Sequence, residues 1–87
     1  SFNENLAHLK KIKSFLNSYH NDERFERMLE TYTLRVKDAN EAYSRSIVAK
    51  NMIGDKSFNY SFDKLSAISE KFYQRAKDLG YNDASNS

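Results

Sequence analysis

Cysteine and proline are absent from this 87-residue chain, and glycine occurs only twice. Without cysteine there is no disulfide framework, thiolate zinc site, iron–sulfur cluster or thiol nucleophile. Two glycines are too few for a phosphate-cradling loop, and no serine sits in a glycine-flanked nucleophile elbow. No apolar run approaches the ~18–20 residues that cross a bilayer, and no stretch has the apolar core of a secretory leader. A cytoplasmic setting and an exported one after removal of a leader both remain open.

What the chain does have is 39% hydrophobic and 30% charged residues, with six Phe and six Tyr. That balance is too apolar for a disordered tail and, with so little Gly and Pro, points to helices. A thin core of this size gains most from large aromatic side chains. The net charge of +2 resides in the first twenty residues, where Lys10, Lys11 and Lys13 outnumber Glu4. Later positive and negative charges balance, so a dense basic stripe for nucleic acid is lacking.

Apolar residues recur at steps of three and four in three stretches. Leu9, Ile12, Leu16 and Tyr19, flanked by Leu6 and Phe15, predict a helix over about 5–19 with Asn3 or Asn5 as its cap. Phe25, Leu29, Tyr32, Val36, Ala39 and Tyr43 begin a second stripe, which Ile47, Val48 and Met52 extend to Ile53. Asn21 or Asp22 would cap this helix, and Gly54 would end it in the left-handed conformation. An unbroken 22–53 helix spans about 48 Å at ~1.5 Å per residue. It therefore overhangs its neighbours or bends, with Asn40 and Ser44–Ser46 as the weak points. After a turn at Gly54–Ser57, Ser61 caps a third helix over about 61–79. Its stripe is Phe62, Leu65, Ile68, Phe72, Ala76 and Leu79, and Gly80 closes it with Tyr81 folding back on Ala76. The expectation is an all-α, antiparallel three-helix bundle in one domain, residues 1–81, with a polar flexible tail over 82–87.

Few residues point to chemistry. His8 and His20 diverge by about 120° on a continuous helix and read as surface residues rather than metal ligands. Asp22, Glu26 and Glu30 share a face, but a solvated first turn offsetting the helix dipole accounts for them. Lys10, Lys11 and Lys13 beside His8 could meet phosphate or an anionic surface. Ser57–Phe62 alternates aromatic and small polar residues. A staple could absorb Tyr60 and Phe62, and two readings of Phe58 stand equal: a core residue, or, if exposed beside Met52 and Ile53, part of an apolar interface patch. Asn59-Tyr60-Ser61 matches the glycosylation sequon. Arg24, Arg27, Thr31, Arg35, Asp38 and Arg45 read as the solvated outer face of the long helix. Tyr73, Gln74 and Lys77 fall off the last core stripe.

Phe25-Glu26-Arg27-Met28-Leu29-Glu30-Thr31-Tyr32 resembles the start of the second helix in microtubule-interacting-and-transport domains. Phe72-Tyr73-Gln74-Arg75-Ala76-Lys77-Asp78-Leu79 is similar to their groove-forming third helix. Asn5-Leu6-Ala7 with Thr31-Tyr32 resembles the small secreted staphylococcal complement inhibitors. Both families are helical bundles that bind proteins, and the resemblances imply no more than that here.

The functional expectation is a non-enzymatic module without cofactor or metal, binding another protein through a helix face with Phe58, Tyr60, Tyr73 and Arg45 as contacts. The alternatives are a nucleic-acid or anionic-surface binder through Lys10, Lys11 and Lys13, and a subunit that forms a homodimer along the overhanging helix.

Overall fold

The computed structural model describes residues 2–82, which form four helices and no strand: α1 (Phe2–Tyr19), α2 (Phe25–Leu34), α3 (Ala39–Ile53) and α4 (Phe62–Asp78). Of the expected tail only Asn82 is included; 83–87 lie outside the described residues.

α4 follows its local chemistry closely. Ser61 has extended backbone, and its hydroxyl accepts the Lys64 N–H at 3.2 Å, satisfying a donor that has no partner within the helix. Gly80 adopts φ 102°, the Gly80 N–H reaches the Lys77 carbonyl at 3.0 Å and the Tyr81 N–H reaches Ala76 at 2.9 Å. This is a Schellman end, and glycine supplies its left-handed residue without a Cβ clash. Gly54 does not repeat it: its φ is −87°, so α3 closes in a right-handed turn.

The expected 22–53 helix is two helices. Arg35–Asp38 interrupts it ahead of the anticipated weak points, and Asn40 and Ser44–Ser46 lie within α3. Two interactions stabilise the break. The Asp38 carboxylate accepts the Glu41 N–H at 2.9 Å and so begins a new helix. Val36 is buried, and its carbonyl accepts the Arg75 Nε–H at 3.0 Å, a bond an unbroken helix would have used internally.

This break reverses the chain. Lys64 lies over the Phe25 ring at 4.3 Å, and Arg75 meets Val36, so α2 and α4 run in the same direction. Tyr43 meets Tyr73 and stacks on Tyr81 at 4.2 Å, while Ser69 donates to the Ser46 carbonyl at 2.9 Å. α3 therefore runs against α4 in the closest helix pair of the fold. Small residues allow that approach: Ala42, Ser46, Ala49 and Ala76 are all buried.

The other caps also differ. α1 begins at Phe2, which places Asn3 and Asn5 inside it. α2 has Arg24 at its cap position without a side-chain bond. Asp22 instead organises the preceding turn, accepting the Arg24 backbone N–H at 2.8 Å and its guanidinium twice at 3.0 Å. Those bonds hold the Asp22 carboxyl at about 2.

The core joins all four helices through Ile12, Phe15, Leu16, Phe25, Leu29, Val48, Met52, Leu65, Ile68 and Phe72. Phe15 stacks on Tyr32 at 4.8 Å, and Tyr32 meets Phe72 edge-on at 5.2 Å. Phe58 and Tyr60 also pack against this core, one of the two readings open for Phe58, whereas Phe62, expected in the core stripe, is 66% exposed.

Asp38→Ala is expected to lower stability by about 1 kcal/mol through loss of the α3 cap, with Asp38→Ser recovering most of it. Urea unfolding of the three proteins checks this. Equal stability would mean that Val36 and Arg75 suffice to set the break.

Candidate functional site

α1 carries two faces because its apolar residues exceed one stripe. His8, Ile12, Phe15 and Leu16 point inward and are buried. Leu9, Lys13 and Asn17 turn toward the 54–61 link between α3 and α4. Lys13 lies 5.8 Å over the Phe58 ring, and Asn17 accepts the Tyr60 hydroxyl at 2.8 Å. His20 Nε2 accepts the Ser61 backbone N–H at 3.1 Å. The link is thus bound along α1 through three successive side chains of one helical flank.

Where α1, α3 and the link meet there is an open hollow of about 270 Å³, lined mainly by Phe2, Leu6, Leu9, Val48, Met52 and Phe58. Phe2 is 79% exposed and Leu6 39%. Two large apolar side chains in water beside half-buried Leu9 and Phe58 form a contiguous patch, unlike the scattered exposed leucines normal on any surface. Phe58 does lie with Met52, as its alternation suggested. Phe2 was not among the candidate contacts, although an unplaced aromatic residue one turn before Leu6 was a readable signal.

The four expected contact residues do not share a face. Phe58 and Tyr60 lie together on the α1 flank, and Tyr60 spends its hydroxyl on Asn17. Tyr73 lines a separate furrow between α3 and α4 with Tyr43, Ile47 and Lys50. Arg45 is not on an outer surface: it is 5% exposed. The chain reversal rotates α3 so that Ala42, Arg45, Ala49 and Met52 form its inward stripe.

The Arg45 guanidinium lies 5.7 Å from the Tyr32 ring and 5.3 Å from Phe72, where desolvated cation–π attraction offsets part of its burial cost. Its Nε–H donates to His8 Nδ1 at 3.3 Å, and its remaining charge partner is Glu41 at 3.8 Å. His8 is thereby 6% exposed rather than a surface residue. Burial and the Arg45 charge hold its pKa below the ordinary histidine value, against the opposing pull of Glu41 and Glu4. The Tyr32 hydroxyl is buried without a hydrogen bond of good geometry, and its burial pushes the phenol pKa up.

The three lysines of α1 spread over about 160° of the helix. Lys11 borders a hollow with Glu4, Asp38 and Glu41, whereas Lys13 covers Phe58. Among the described residues no three His, Asp or Glu side chains are grouped to hold a metal ion, and no helix is long and apolar enough to cross a membrane.

Arg45→Ala is expected to cost about 3 kcal/mol, because it strands His8 and empties the space between two rings. Tyr32→Phe should instead raise stability by about 1 kcal/mol, since it removes a buried hydroxyl without a well-formed bond. Chemical denaturation separates them. A loss in Tyr32→Phe would show that the hydroxyl is held by Arg45.

The chain matches no family model, and no curated protein or solved structure is significantly similar to it.

Proposed function

We propose that this chain is a non-catalytic interaction module that binds a protein segment through the α1 flank. The observation carrying the reading is the patch of Phe2, Leu6, Leu9, Met52 and Phe58, with two of its large apolar side chains in water. The hollow has room for one large side chain and a shallow rim, the size of a helix anchor rather than of a small-molecule cleft.

Charge selects the occupant. Lys10 follows Leu6 by one helical turn, Lys13 lies over Phe58, and the chain's excess positive charge falls on this helix. The fitting partner is an amphipathic protein segment with one or two apolar anchors flanked by Asp or Glu. The apolar contacts hold it, and the lysines orient it and raise its association rate. Nucleic acid fits less well, since apolar side chains occupy the middle of the flank and Lys11 turns away toward carboxylates.

Selection of displayed peptides against the whole chain, counter-selected with Leu6→Asp, tests the proposal. The expected winners carry apolar anchors at helical spacing between acidic residues and lose at least tenfold in affinity for Leu6→Asp. Leu6 is partly exposed and outside the buried core, so the variant should fold as the parent does. Winners that bind both proteins equally would sink the reading. So would a homodimer in sedimentation equilibrium that Leu6→Asp dissolves, because the flank would then belong to a second copy.

A further inference from the structure

Both histidines of the chain are hydrogen-bond acceptors, and each accepts from another part of the fold. Within α1, His8 Nδ1 takes the Arg45 Nε–H of α3 at 3.3 Å. Just past its C-terminal end, His20 Nε2 takes the Ser61 backbone N–H at the start of α4 at 3.1 Å. A guanidinium nitrogen and a backbone amide can only donate, so each contacted ring nitrogen must present its lone pair. His20 Nδ1 lies 3.1 Å from the Asn21 side-chain carbonyl oxygen, which only accepts. The proton of His20 is therefore on Nδ1, and that of His8 on Nε2.

We infer that His8 is an acid-sensitive lock that holds α1 on the α3–α4 pair while its ring is neutral, and releases it on protonation. A proton on His8 Nδ1 points at a guanidinium that is already cationic, inside the core. Protonation replaces the bond with two opposed donors and places two positive charges side by side away from water.

The charges around His8 set the balance. Glu4 and Lys11 of α1 and Glu41 and Arg45 of α3 all act on the ring, Asp38 borders the same hollow, and the Tyr32 phenol of α2 faces Arg45. Glu41 and Glu4 favour the imidazolium, but burial and Arg45 outweigh them. Around His20 the facing groups are Asn21, Tyr60 and Ser61, with the two rings 5.9 Å apart. A group whose folded pKa is depressed stabilises the fold above its unfolded value and loses that contribution as pH falls toward the folded one. The His8 contact is therefore complete above its ordinary value of 6.5 and fades below it.

This lock fixes the flank on which the proposed binding face stands, so its bearing on binding rests on that reading. The lock itself is read on the free protein. His8→Asn keeps an acceptor but cannot be protonated, because it presents an oxygen near the Nδ1 position.

Nitrogen-15 imidazole spectra of the whole chain at pH 8 should show His8 as the Nε2–H tautomer and His20 as the Nδ1–H tautomer. Hydrogen exchange from pH 7.5 to 5, corrected for intrinsic rates, should show the α1 amides losing protection before those of α4. Below 6.5 and above the folded pKa, His8 makes α1 opening about tenfold more favourable per pH unit. His8→Asn should keep α1 protection nearly flat over the range. The opposite His8 tautomer, α1 and α4 losing protection together, or a His8→Asn protein as acid-sensitive as the parent would each overturn the lock. Because Leu6→Asp leaves both histidines untouched, it should retain the acid response even if the binding proposal fails.

Discussion

A single buried cation holds the architecture together. Arg45 of α3 lies against Tyr32 of α2 and Phe72 of α4, and it donates to His8 of α1. One guanidinium thus touches all four helices. Taking it out of water costs several kcal/mol, and the two rings, the imidazole and the distant Glu41 carboxylate offset that cost only together. Apolar packing alone would tolerate small slips of one helix along another. The guanidinium does not, because its donors and the flat faces it lies against are directional. This is the physical sense in which a polar group in a thin core specifies one arrangement.

The burial of Arg45 depends in turn on the reversal at Arg35–Asp38. Were 22–53 continuous, α3 would extend the direction of α2, and Tyr32 and Arg45 would be thirteen residues apart along one rod. That is about 20 Å at ~1.5 Å per residue. Folding α3 back brings their side chains together and places Phe72 against both. Val36 entering the core and Asp38 capping the next helix are local events, yet they decide which side of α3 is the inside. Those eighteen described residues of α1 then need only one strong inward contact, His8, beyond their apolar stripe.

How much of this was legible follows from what each residue advertises. α4 could be read because a serine cap, a clean apolar stripe and a glycine end agree with one another. The all-helical class could be read for the same reason. The break could have been found as well: Asp38-Ala39-Asn40-Glu41 has the spacing of a capping box, an acceptor followed three residues later by Glu. The apolar stripe running across it concealed the signal, since Val36, Ala39 and Tyr43 keep helical spacing through a turn. α3 was harder. Its inward stripe is Ala42, Arg45, Ala49 and Met52, a pattern that reads as a polar face because arginine stands where leucine is expected. His8 was hidden by the same rule, that charged and titratable residues are usually outside. Both errors have one cause: the two residues bury each other, and pair burial leaves no trace in the periodicity of either helix.

The placement of Phe58 and Phe62 shows how α1 came to have a second, partly exposed apolar side. The link must run along α1 to reach the Ser61 cap, and Lys13, Asn17 and His20 bind it there. Phe58 consequently meets α1 and the core, and Phe62, on the first turn of α4, is left in water. The inward side of α1 needs five residues, from His8 to Tyr19, and the link takes the flank from Leu9 to His20. That leaves Phe2 and Leu6 without a covering element among the described residues. A thin domain that uses most of its apolar residues internally has little reason to retain two more on the same helix edge unless something else covers them. The His8–Arg45 bond holds the same helix, so on the proposed reading its stability and its exposed edge are coupled. Whatever covers Phe2 and Leu6 would bind best to an α1 that is locked in place, since a preformed surface needs no ordering on contact.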